Sequence, residues 1–258
     1  MTGGRAPGCG GVASGRSAAA PLAWSIVIPA YNEAERLPRT LDEVTAFFDG
    51  KDVAYEVLVA DDGSTDDTPG AVRAAARAHP AVRLLREPRN RGKGAAVRRG
   101  MLAARGALRL FADADGATPI AEVKRLEAAL AAGADVAIGS RGLVDPGVVI
   151  AARRHRVLAG RVFNWVVARA GLDGVADSQC GFKAFTAAAA DRLFPALVTE
   201  GFGFDVELLL RARAAGLRVT EVAVNWTDQA GSKSGVIKDG PRMLWEIAMA
   251  RARVERGR

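Results

Sequence analysis

The feature that most constrains this chain is an alternation. Five short apolar runs, at 24–28, 56–60, 82–85, 108–112 and 134–138, are separated by stretches with helical character. The first of those stretches carries Leu37, Leu41, Val44 and Phe48 at helical spacing, and Asp67-Thr68-Pro69 opens the second. Residues 93–104 and 119–132 supply the next two. Runs too apolar for one-sided exposure, each followed by a helix, predict a mostly parallel sheet with helices on both faces. Pro29 is expected to end the first strand, and the acidic Glu33 and Glu35 to begin the first helix.

In an open sheet of this kind ligands bind beyond the carboxyl ends of the strands. The unusual residues of this sequence lie there: Pro29 to Glu33, Asp61 to Ser64, Asp113 to Gly116 and Gly139 to Arg141. Beyond Arg141 the alternation stops. A basic stretch, Arg153-Arg154-His155-Arg156, leads into an amphipathic helix expected at 157–170. A compact segment at 177–185, a helix at 204–215, a strand at 218–226, a glycine-rich loop at 227–240 and a helix from Pro241 complete the expectation.

Composition narrows the class. With 49% hydrophobic and 25% charged residues in a 258-residue chain, disorder throughout is excluded. No run approaches the roughly 18–20 uncharged apolar residues that span a bilayer. Residues 1–21, a Gly/Ala/Ser/Arg tract, read as a disordered tail and 22–258 as a single domain. Cys9 and Cys180 build no disulfide framework, which fits a cytoplasmic protein. A net charge of +7 favours anionic partners, or reflects arginine-rich base composition. Aromatics at 6% and no reading motif argue against nucleic acid.

Asp113-Ala114-Asp115 is the sharpest motif. Two carboxylates one residue apart, just past a buried strand, suit a hard divalent cation whose remaining ligands are substrate phosphate oxygens. In isolation the pair reads equally as an Asx-type turn. Asp61-Asp62-Gly63-Ser64 is either a strand-to-helix turn or an acidic site for a base or ribose. Asn90-Arg91-Gly92-Lys93-Gly94 is either a surface turn or a glycine-eased helix start where an anion is favoured.

Together these segments resemble family 2 nucleotide-sugar glycosyltransferases of the GT-A fold. The likeness extends through Gly139-Ser140-Arg141, Asp177-Ser178-Gln179-Cys180-Gly181-Phe182-Lys183, Phe204-Asp205-Val206-Glu207-Leu208 and Val222 to Trp226. These last resemble the dolichyl-phosphate β-glucosyltransferase branch. The resemblance implies that Pro29, Tyr31 and Glu33 line the nucleotide pocket, with Asp61 beside them. Asp62 would contact the uridine, and Lys93 would hold the nucleotide. Asp113 and Asp115 would carry Mg2+ or Mn2+, and Arg141, Arg154 and Lys183 would meet an acceptor phosphate. Asp177 is expected to orient the acceptor or balance the arginines. Asp205 and Glu207 sit where other branches keep a general base, or else cap a helix. The expected reaction is inverting transfer of a sugar, glucose from UDP-glucose, to a polyprenyl phosphate. Its alternatives are a soluble hydroxyl or glycan acceptor, or a non-catalytic nucleotide-sugar-binding protein. Met243, Leu244, Trp245, Ile247 and Met249 among Arg242, Arg251 and Arg253 give the last helix a face for peripheral contact with an anionic membrane, or a core-packing face.

Overall fold

A computed structural model describes residues 21–151, 167–229 and 236–256. The expected helix at 157–170 falls almost wholly outside these residues. So do the arginines at 153–156, Arg154 among them, the tail up to residue 20, and residues 230–235 of the expected glycine-rich loop. The elements run β1 (Trp24–Ala30), α1 (Leu37–Asp49), β2 (Tyr55–Asp61), α2 (Thr68–Ala78), β3 (Val82–Arg86), α3 (Lys93–Ala103) and β4 (Leu108–Ala112). A 3-10 turn (Ile120–Glu122) precedes α4 (Val123–Ala131), β5 (Val136–Ser140) and the short β6 (Ile150–Ala151). After a π turn (Ala168–Leu172) come β7 (Phe182–Thr186), α5 (Ala187–Leu193), α6 (Phe204–Ala214), β8 (Val219–Ala223), β9 (Trp226–Thr227) and α7 (Val236–Arg256).

Seven strands form one sheet in the order β3-β2-β1-β4-β7-β5-β8, and β6 pairs with β9. The sheet is mostly parallel, as the alternation predicts, with one exception. β7 lies antiparallel between β4 and β5, with Lys183 opposite Phe111 and Ile138. It occupies part of what the sequence presents only as a compact segment.

Period-2 alternation along the strands feeds two cores. Ile26, Ile28, Val57 and Val59 meet Leu41 and Phe48 of α1, Val72 of α2 and Leu126 of α4. On the other face Val27, Leu58, Phe111 and Phe185 meet Val97 of α3, Phe204 and Leu208 of α6, and Ile247 of α7. Each such side chain contributes about 1.5–3 kcal/mol by burial.

Several boundaries differ from expectation. The one strand expected at 218–226 divides into β8 of the main sheet and β9, which pairs with β6. β1 continues through Pro29 to Ala30, because its pairing with β4 ends at Val27 and leaves only β2 as neighbour, where a missing donor is tolerated. Glu33 precedes α1, whose first turn holds no acid, and its carboxylate takes Arg36 instead. α7 starts before Pro241, which lies within it.

Candidate active site

The loops that leave β1 and β2 are knitted together. Asn32 adopts φ 56°, and its Oδ1 accepts from the amides of Thr65 (2.8 Å) and Asp66 (3.3 Å). The Asn32 amide donates to Ser64 Oγ at 2.9 Å and the Glu33 amide to Thr68 Oγ1 at 2.7 Å. Pro29 is buried within β1, while Tyr31 is exposed at the rim. Asp61 is fully buried: Oδ1 accepts from the Ser64 amide at 3.1 Å, and Oδ2 faces Arg86 at 3.4 Å. Asp62 accepts from the amides of Arg91 (2.9 Å) and Gly92 (2.7 Å), so it clamps the turn that launches Lys93 on α3. Burial raises the Asp62 pKa against the pull of those amides. Gly63, at φ 71°, is obligatory, since a Cβ there would stand 2.4 Å from the Arg89 carbonyl carbon.

The acid pair follows β4. The Asp113 amide donates to the Gly181 carbonyl at 2.9 Å, and Thr40 Oγ1 donates to the Ala114 carbonyl at 2.8 Å. With Ala114 packed into the core, the carboxylates on either side of it are left facing outward. Gly116 then turns the chain at φ 65°, and Asp115 Oδ1 accepts from the Ala117 amide at 3.0 Å. Lys93 Nζ rests 2.7 Å from Asp113 Oδ1. Burial, reinforced by Asp113, raises the Asp115 pKa, while Lys93 and Arg36 oppose. Burial works against the Lys93 ammonium too, but Asp113, Asp205 and Asp115 outweigh it and raise its pKa.

No group of three or more His, Cys, Asp or Glu converges on one point among the described residues. The protein therefore offers two carboxylates and no complete ligand shell. That donor set fits Mg2+ or Mn2+, which take one or two protein carboxylates and complete their octahedron with substrate phosphates and water. The seating of an ammonium on Asp113 shows that the corner accepts positive charge.

On the other side, Arg141 leaves β5 and grips Asp177 with two prongs, Nε to Oδ2 at 2.6 Å and Nη2 to Oδ1 at 2.9 Å. The guanidinium also lies 5.3 Å from the Trp226 ring centroid. Burial would raise the Asp177 pKa, but Arg141 holds it below the ordinary carboxylate range. Lys183 is fully buried, donating to Asp205 Oδ1 and the Cys180 carbonyl, both at 2.6 Å. Burial raises the Asp205 pKa against Lys183 and Lys93. Glu207 is equally sealed: its oxygens accept from the amides of Val198 (3.1 Å) and Thr199 (2.7 Å) and from Arg211. Cys180 is buried, its thiol pushed up to about 11 by desolvation and by Asp177.

The sequence profile described as glycosyl transferase family 2 matches residues 25–194. This chain belongs to glycosyl transferase family 2. The family member "Dolichyl-phosphate beta-glucosyltransferase" of Drosophila melanogaster is 43% identical over 225 residues, covering 82% of this chain and 69% of the relative. Two solved structures share the fold. Mannosyl-3-phosphoglycerate synthase from Rubrobacter xylanophilus superposes with a TM-score of 0.67 at 20% identity, over 90% of this chain and 73% of that one. Glucosyl-3-phosphoglycerate synthase from Mycobacterium tuberculosis, solved with Mn2+ and UDP-glucose, gives 0.63 at 22% identity, over 90% and 79%. Both are GT-A enzymes, and this glycosyltransferase has that architecture.

Within the enzyme the expected residues fall into two linked sets. Lys93, Asp113, Asp115, Asp205 and Lys183 form one chain of charges, which Asp62 joins only through the Arg91 and Gly92 amides, and Arg141 with Asp177 forms the other, within electrostatic reach of Asp113. Lys183, expected at an acceptor phosphate, instead turns its ammonium into the protein, because a strand between β4 and β5 has no solvent face there. Sequence reasoning missed Gly181, Thr40 and Trp226. Gly181 is cramped to the limit: a Cβ on it would stand 1.9 Å from Asp113 Oδ2.

Proposed function

We propose that this enzyme transfers glucose from UDP-glucose to a polyprenyl phosphate of the dolichyl type, with Mg2+ or Mn2+ and with inversion. One observation carries the choice of acceptor. The three acids that a hydroxyl acceptor would need as general base are all engaged: Asp177 by Arg141, Asp205 by Lys183, Glu207 by two amides and Arg211. A phosphate monoester, with a second pKa near about 6, is already ionised and needs only positioning. The same engagement withholds these three carboxylates as nucleophiles for a two-step mechanism, which supports a single inverting displacement. The Drosophila relative's dolichyl-phosphate acceptor and the mycobacterial enzyme's Mn2+ and UDP-glucose agree with this reading.

Residue roles follow from position. Pro29, Tyr31, Glu33, Asp61 and Asp62 build the wall that receives uridine and ribose, with Lys93 beside the diphosphate. Asp113 and Asp115 hold the divalent cation, which, when bound, neutralises charge developing on the departing diphosphate. Arg141 presents the edge of its guanidinium not used by Asp177 to the acceptor phosphate. Arg154 is assigned to the same phosphate on the resemblance alone. No helix among the described residues is long and apolar enough to cross a membrane. Leu244 (45% exposed) and Trp245 (61%), beside the exposed Arg242, supply an apolar and basic face by which the enzyme reaches the lipid surface.

The test is to mix protein, Mn2+, labelled UDP-sugars and polyprenyl phosphate, then extract lipid. Label from UDP-glucose enters the organic phase, and Arg141→Ala raises the polyprenyl phosphate concentration needed for half-maximal rate. Label that stays aqueous with every donor refutes the lipid acceptor.

A further inference from the structure

The buried pair Lys183–Asp205 has no place in the chemistry above, yet it lies directly beneath the acid pair. The Lys183 ammonium is inaccessible to solvent and bonds two groups, Asp205 Oδ1 and the Cys180 carbonyl, each at 2.6 Å. It stands 5.3 Å from the Phe111 ring centroid, and Lys93 stands 5.6 Å from the same centroid. A pair serving stability alone is poorly chosen, because well-packed apolar residues in its place are often neutral or better.

Its geometry suggests another use. The carbonyl that Lys183 holds belongs to the residue before Gly181. Gly181 in turn accepts the Asp113 amide at 2.9 Å and has no room for a side chain against the Asp113 carboxylate. A line of contacts therefore runs from Asp205 through Lys183 and the Cys180 carbonyl to the peptide on which Asp113 rests. We propose that Lys183 and Asp205 are positioning residues that fix the 180–181 peptide and thereby aim the Asp113 carboxylate at the cation on the diphosphate. This rests on the assignment of Asp113 and Asp115 to that cation, and the experiment separates the two.

The probe is Mn2+ with saturating UDP and no acceptor, with free Mn2+ read by its electron paramagnetic resonance signal and folding by Tm. Lys183→Met with Asp205→Leu removes both charges, so net charge at the site is unchanged and only geometry is altered. The double variant is expected to keep a Tm near the parent's and to bind Mn2+ at least about ten-fold more weakly. Parent-like Mn2+ affinity in the folded double variant overturns the proposal. If the double variant does not fold, Lys183→Met with Asp205→Asn is read the same way, since it too removes both charges and holds the net charge. A ten-fold weakening supports the proposal; parent affinity, or failure of this variant to fold as well, overturns it. Asp115→Asn is the control for the underlying assignment. If it binds Mn2+ as the parent does, the acid pair is not the metal site, whatever the Lys183 variants show.

Discussion

Gly181→Ala tests the site with one methyl group. Its Cβ would fall 1.9 Å from Asp113 Oδ2, 2.2 Å from Cγ and 2.5 Å from Oδ1, and those are the three nearest atoms. Ordinary contact begins at 3.4 Å. The carboxylate, being the free end of a side chain, yields before the backbone does, and must retreat by roughly 1.5 Å. A misplacement of about 1 Å near the reacting atoms costs roughly 100-fold in rate, or about 2.7 kcal/mol. Gly181→Ala should therefore lose about two orders of magnitude in kcat/KM for glucosyl transfer, with Tm within a few degrees of the parent. Gly216→Ala is the opposite control: φ is 69° and nothing lies within 4 Å. It should lose about 1–2 kcal/mol of stability and keep its rate. Labelled-lipid extraction and thermal unfolding on the three proteins decide the matter. Gly181→Ala working at the parent's rate would refute the placement of Asp113 at the reacting centre.

Other expectations follow from the same geometry. Asp115→Asn should abolish the response of turnover to added Mn2+; a parent-like metal titration refutes the ligand assignment. Glu207→Gln should lower Tm, because Arg211 loses its buried partner, while kcat is preserved; a collapse of kcat at constant Tm would mark Glu207 as a general base. Arg141 holds the Asp177 pKa below its unfolded value, so the pair's stabilisation is complete above that unfolded pKa, near about 3.9, and fades as pH falls through the folded one. The Tm gap between parent and Asp177→Asn should be open at neutral pH and close in acid. A gap that ignores pH refutes the charge pairing.

Most of the scaffold was legible because buried parallel strands appear as uninterrupted apolar runs. β1, β2, β3, β4 and most of β5 lie where those runs are. β7 was hidden because Lys183 interrupts it, and a lysine in mid-run argues against a strand at the centre of a sheet. Its partner Asp205 is 22 residues away on α6, and no local pattern announces that pairing. Asp113, Asp115 and Arg141 stood out because charge just past an apolar run is uncommon, and Asp177 because its segment carries the family resemblance. Gly181 and Thr40 did not, since their roles exist only where another segment closes on them. Glu207 stood as a base or a cap on the resemblance, and the sequence could not show its partners, because they are chiefly backbone amides.

The insertion of β7 between β4 and β5 has a consequence for how the molecule comes into being. Among the described residues β5 hydrogen-bonds only to β7 and β8, both of which follow it in the chain. A nascent polypeptide can thus join β3, β2, β1 and β4 into one platform while β5, followed by Arg141, still lacks a sheet neighbour. Emergence of β7 delivers in one step the Gly181 carbonyl for Asp113, Lys183 for Asp205 and a docking edge for β5. The half proposed to receive the donor thus gains its shape first, and the Asp113 corner is completed only when the returning strand is threaded home.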